Sequence, residues 1–222
     1  MPQSSVAAGR VPLKRRNQYR AAGLPCVRRR TDILTVIRQT AGAKGDASMS
    51  MLDFLHIVER RISRQLDRAL GDLTDEQWHT IPGGAGNSIA FIAWHYIRTE
   101  DNIINWIIQE RHPTVWMRGG WAEKLGLPPV SQGTGMPVAE AQALRIKDTA
   151  GFLEYIHQVR ADTDRFLETW EPADYDTRIL LKPVGEMTKL EALGQQGFPH
   201  GFGHIGEIQH IRCLLGLPGI GL

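Results

Sequence analysis

From Met51 onward, apolar residues recur at three- and four-residue steps: Leu52, Leu55, Ile62, Leu66, Ala69 and Leu73. Charged residues fill the intervals, among them Glu59, Arg60, Arg64, Asp67 and Arg68. This period predicts an amphipathic helix of about 20 residues. Ser50 is placed to cap it, with Asp53 in the first turn. The stretch "TDEQWHTIPGGAGN" (residues 74–87) breaks the period, and Thr74 with Gln77 fits a capping box for one short turn.

A second helix is predicted from Asn87 or Ser88 to about Arg111. It is apolar around much of its circumference, so burial on more than one side is expected. Residues 112–135, "HPTVWMRGGWAEKLGLPPVSQGTG", then form a long connection rich in glycine and proline. Such a connection suits a lid, or a crossover that lets successive bundle helices run parallel. A third helix is predicted from Pro137 to about Trp170, with Leu144, Phe152, Ile156, Val159, Thr163 and Phe166 on its inner stripe. Residues 178–182 could be extended, but Pro183 and Gly185 close that run. "TKLE" at residues 188–191 is a second capping-box pattern, opening a fourth helical region that should end near Gly216. The expected fold is all-α, four helices with no convincing sheet, occupying residues 49–222.

The leader changes the picture of charge. The whole chain has net charge +2, yet residues 1–48 carry ten Lys+Arg against two Asp+Glu. The body is therefore mildly acidic. An Arg-rich, acid-poor leader can bind nucleic acid or mimic a transit peptide. Nothing in it is patterned as a base-reading element, so nucleic acid is not the expected partner. The simpler reading is a disordered tail, or a start set ahead of Met49 or Met51; "TDILTVIRQT" (residues 31–40) could form a short helix. No apolar run is long enough to span a membrane. Two cysteines, Cys26 and Cys213, make no disulfide framework and suit a cytoplasmic setting. Cys213 reads as a small core residue.

Candidate chemistry lies in the histidines. Projected on a helix, Leu193, Gly197, His200, His204, Ile208 and Ile211 share one face. Thus His200 and His204 interrupt an apolar stripe one turn apart, with Cβ atoms about 6 Å apart, which lets two imidazoles converge on one ion. His210 lies about 120° further round and is left out. In the second helix, Phe91, Ile92, His95, Thr99, Asn102 and Trp106 share a mixed face that suits a cavity lining. An inward histidine on an apolar face is also a common hydrogen-bonded core residue. Three of them without partners would each cost about 1–3 kcal/mol, a cost that a shared metal removes.

The segments "NSIAFIAWHYIRTEDN" and "HGFGHIGEIQHIRCLLG" resemble those of the DinB-like superfamily of bacterial metalloproteins. "VWMRGGWAEKLGLP" (residues 115–128) is similar to a connector found in part of it, and the likeness runs from about Met51 to Gly216. The resemblance implies an up-down-down-up four-helix bundle with a long link between helices two and three. It implies a divalent metal on His95, His200 and His204, and commonly a homodimer. Characterised members of that superfamily include enzymes that use a low-molecular-weight thiol as cosubstrate.

Three neutral histidines suit Zn, Ni, Fe or Cu and leave a coordination position open. Two reactions on a small molecule follow. In one, activated water attacks an ester or amide; in the other, an activated thiol attacks an electrophile. A non-catalytic metal-binding or stress-response protein, or a metal-independent binding module, is the alternative. Glu207 could orient a ligand or be a solvated charge. Arg98 could bind an anionic substrate or pair with Glu100 or Asp101. Asn102 and Thr99 could line the cavity or simply pack. Trp116 and Trp121 could form a lid or anchor the long connection. Pro199 predicts a bend or restart just before His200, and the glycines around it are expected to let neighbouring helices approach closely.

Overall fold

The computed structural model describes residues 48–221. The basic leader, with the disorder, early start and short helix expected of it, lies outside the described residues.

Each capping signal forms as the sequence predicts. Helix α1 (Met51–Leu70) starts at a Ser50/Asp53 capping box, and the short α2 (Asp75–His79) at a Thr74/Gln77 box. Helix α3 (Ile89–Asp101) is capped by the Ser88 hydroxyl and runs on into a π-helical segment, Asn102–Ile108. The connection carries two short helices, α4 (Val115–Gly119) and α5 (Trp121–Leu125).

The long third helix is two. Helix α6 (Val138–Ala143) stops at Leu144, whose backbone is extended, and α7 (Thr149–Thr169) starts afresh with Asp148 as its cap. The break turns Leu144 and Ile146 into the core, and the Ile146 amide donates to His79 Nε2 at 3.1 Å. Residues 178–188 form a two-stranded antiparallel hairpin where no sheet was convincing from sequence. In it β1 (Arg178–Leu181) pairs with β2 (Gly185–Thr188), Ile179 opposite Met187. The fourth region begins as α8 (Lys189–Ala192), passes through a π segment (Leu193–Gly197), and continues as α9 (Phe198–Leu214).

Helices α1, α3, α7 and α9 form a four-helix bundle in which α9 and α7 each pack against both α1 and α3. Hydrogen bonds give the directions. Asp67 and Glu59 of α1 meet His157 and Arg160 of α7 in opposite order, so these helices are antiparallel. Tyr96 and Glu100 of α3 meet Arg160 and Thr163 of α7 in the same order, so these are parallel. The two π segments touch each other, while His95 meets His204 further along; α9 therefore runs against α3. The result is up-down-down-up, with the long connection crossing between α3 and α7.

The apolar interior contains a buried polar cluster. The Tyr96 hydroxyl donates to Glu100 at 2.7 Å and accepts from Arg160 at 2.8 Å, and Thr163 donates to Glu100 at 3.0 Å. Arg160 also lies 3.5 Å from Glu59, which accepts from Ser63 at 2.6 Å. Burial pushes the Glu59 carboxyl up to about 7, against the opposing pull of Ser63 and Arg160. Such groups are tolerated inside because each has partners. At the far end, Arg212 ties α9 to α1 through the Ala69 carbonyl at 3.0 Å and Asp72. Cys213, the next residue, is exposed rather than part of the core. The helical turn that buries Arg212 carries its neighbour to solvent.

Candidate metal centre

His95 enters the site from a helix that is buried almost throughout. Its Nδ1 lies 2.6 Å from the Gln132 carbonyl. A carbonyl only accepts, so the ring proton sits on Nδ1 and the Nε2 lone pair is free. Gln132 belongs to the loop that ends the long connection. There Gly133 has φ +92°, and a Cβ on it would stand 3.1 Å from Phe91 and Trp94. Glycine thus lets the loop lie against α3 and reach the histidine.

His200 and His204 come from the start of α9. Gly197 leaves helical geometry (ψ −93°), and Pro199 falls in the first turn, where its missing amide costs nothing. The restart expected at Pro199 is therefore present, directly before His200. The Nε2 atoms of His200 and His204 are 2.9 Å apart. His204 Nδ1 lies 2.7 Å from a Glu207 carboxylate oxygen, which fixes its proton there. The rings of His200 and His204 sit 5.2 and 5.0 Å from that of His95. One nitrogen from each of the three lies within 4.8 Å of the others.

Electrostatics favour the metal-binding form of His200 and His95. Burial, followed by the charges of His204 and His95, pushes the His200 pKa down to about 4. Burial likewise lowers that of His95, with the Gln132 hydrogen bond opposing. Neutral imidazoles with free Nε2 atoms are the state that a divalent ion requires. His200 Nδ1 is buried without a partner among the described residues. The donor set therefore fits a divalent metal, with two of three rings already oriented through their distal nitrogens.

The histidines open onto a cleft of about 440 Å³. Its walls include Asn87, Phe91 and Thr99 from around α3, Asn102 and Gln196 from the two π segments, and the hairpin tip Leu181–Val184. Asn102 thus lines the cleft, as does Glu207. Arg98 lies elsewhere: its guanidinium is 4.6 Å above the Trp116 ring, with Nη1 3.8 Å from Asp101. Trp116 and Trp121 are buried against Tyr155 and anchor the connection rather than cover the cleft. Helix α4 is held by Asp101, which accepts the Val115 and Trp116 amides at 2.9 Å each. His210 is exposed and outside the cleft.

Sequence reasoning missed Gln132 and the hairpin tip. Gln132 acts through its carbonyl, which no side chain announces; only the flanking glycines of "SQGTG" hinted at a special loop. The tip reaches the cleft through hairpin formation that periodicity did not reveal.

Comparison with known proteins follows the same lines. A conserved protein from Enterococcus faecalis superposes with a TM-score of 0.67 at 18% identity, over 76% of this chain and 99% of that one. YfiT from Bacillus subtilis, a "probable metal-dependent hydrolase with an unusual four-helix bundle topology", superposes with a TM-score of 0.52 at 16% identity, over 79% of this chain and 94% of that one. Both likenesses are likenesses of fold. No curated protein sequence matches. The sequence model of the DinB superfamily matches residues 59–208, a span that holds all three histidines, and the chain belongs to that superfamily.

Proposed function

We propose that this chain is a metal-dependent enzyme acting on a small molecule, with His95, His200 and His204 holding one divalent ion at the floor of the cleft. The observation that carries this reading is the convergence of three nitrogens within 4.8 Å beside an open cleft. Zn, Ni and Fe all suit three imidazoles. When bound, such an ion lowers the pKa of a bound water or thiol and polarises the substrate.

The remaining contributions come from the chain. Gln132 and Glu207 hold the ring protons of His95 and His204 on Nδ1, which keeps Nε2 of each unprotonated. Phe91, Leu181 and Val184 offer apolar surface to the substrate, while Asn87, Asn102 and Gln196 offer amide donors and acceptors. Glu207, exposed at the rim, can also receive a proton as a nucleophile is activated. Either nucleophile expected from sequence fits this arrangement: water, giving hydrolysis, or a low-molecular-weight thiol, giving transfer. The likeness to YfiT, a probable metal-dependent hydrolase, supports the hydrolytic reading, and the resemblance to thiol-dependent relatives supports the other.

The test is metal analysis of the purified protein, followed by turnover of ester and electrophile panels with and without added thiols. Stoichiometric metal and metal-dependent turnover in either panel support the reading. A protein that takes up no divalent metal overturns it. A homodimer and a cytoplasmic setting belong to the same proposal; the exposed Met51, Phe54 and Ile57 on α1 offer apolar surface to a second copy. Light scattering coupled to gel filtration checks the first, and fractionation of the source cells the second.

A further inference from the structure

Two of the three histidines are oriented by hydrogen bonds, His95 by Gln132 and His204 by Glu207. His200 has no such outer partner: its Nδ1 has none among the described residues, and its Nε2 faces only His204 Nε2 at 2.9 Å. Its position therefore rests on the helix that carries it. That helix lies tight against α3 at the next residue. A Cβ on Gly201 would fall 2.5 Å from both Cζ and Oη of Tyr96, and 2.7 Å from Cε2, where real Cβ contacts essentially never come under 3.0 Å.

Tyr96 is poorly able to yield. It is completely buried, and its hydroxyl is held from two sides, by Glu100 at 2.7 Å and Arg160 at 2.8 Å. The Arg160 guanidinium also stands 5.5 Å from the centre of its ring. Thr163 fixes Glu100 in turn. Tyr96 also adjoins His95 in sequence, so the ring that stops α9 is built on the same turn of α3 as the first histidine.

Resting on the metal-site reading above, we infer that Tyr96 is a positioning residue: its ring, clamped by Glu100 and Arg160, is the stop against which Gly201 seats, and this sets the depth of His200 relative to His95. Glycine at 201 is then a requirement of the site's dimensions. Gly203 provides the contrast. It lies in the same turn, also between the two histidines, but a Cβ there meets nothing within 4 Å. Alanine raises helix propensity equally at both positions, so the pair separates the spacing effect from propensity.

The experiment measures Zn²⁺ affinity by chelator competition and the visible spectrum of the Co²⁺-loaded protein, for the full chain and its variants. Gly201→Ala should weaken Zn²⁺ binding at least tenfold and alter the Co²⁺ spectrum. Gly203→Ala should bind within twofold of the parent with an unchanged spectrum. In a Tyr96→Leu background, where the ring is gone, Gly201→Ala should change affinity less than twofold, and this comparison also serves if Gly201→Ala alone does not fold. Equal losses at 201 and 203, or an equal loss from Gly201→Ala in both backgrounds, overturn the inference. Failure of the metal-site reading itself shows separately, as a parent protein that binds neither ion.

Discussion

His200 Nε2 and His204 Nε2 face each other at 2.9 Å across one turn of α9, with the His95 ring standing nearly perpendicular to both. Two unprotonated nitrogens at that separation repel unless a proton or a cation lies between them. Excess Zn²⁺ should therefore raise the melting temperature, by about 2.7 kcal/mol of added stability at a hundredfold excess over Kd. His200→Ala should abolish the rise, measured by calorimetry with and without metal. A rise that persists in that variant would mean the ion binds elsewhere.

Glu207 is mostly exposed, yet its carboxylate lies 2.7 Å from His204 Nδ1. Orienting partners of this kind are worth roughly 10–100-fold in metal affinity. Glu207→Ala should lose affinity in that range. Glu207→Gln, whose amide oxygen still accepts from Nδ1, should retain more of it. Equal affinities for parent, Gln and Ala would assign Glu207 to the solvent.

Gly133 holds the loop that presents the Gln132 carbonyl to His95. Its positive φ strains any side chain, and a Cβ there would press on Phe91 and Trp94 at 3.1 Å. Gly133→Ala should cost about 1–2 kcal/mol of stability and weaken metal binding as the loop lifts. Gln132→Ala keeps the carbonyl and should leave the affinity nearly unchanged. Both are read by denaturation and metal titration.

The Glu59 carboxyl binds its proton more tightly in the folded chain, with a pKa of about 7 against an ordinary 4.5. The stability it adds is fully present below pH about 4.5 and is lost as pH rises through about 7. In Glu59→Gln, which keeps the oxygen that Ser63 bonds, this contribution disappears. The stability difference between parent and variant should fall by roughly 2–3 kcal/mol across that window. Chemical denaturation at several pH values checks it; a flat difference would place the Glu59 proton elsewhere.

Much of this molecule is legible in its sequence, because caps and periodicity are local. Ser50, Thr74, Ser88 and Thr188 each start a helix where their side chains predict. His95, His200 and His204 stand out because imidazoles interrupt apolar faces, and the structure brings these three together. What was not legible depends on tertiary contact. The break at Leu144 reflects the pull of the core on Leu144 and Ile146, which overrides a continuous helical stripe. The hairpin forms through pairing that neither strand encodes alone. For Arg98, sequence favours pairing with Glu100 or Asp101 over facing a substrate; it lies near Asp101, but buried over Trp116 rather than at the surface, which the local sequence does not encode.

The three histidines stand on bundle helices, whereas much of the mouth above them is built by the 132–135 loop and the hairpin tip at 181–184. These two segments lie outside the four bundle helices. Reactivity and selectivity are thus carried on separable parts of the chain, one rigid and one replaceable. Exchanging the hairpin tip alone offers a route to a new substrate preference while the imidazoles keep their place.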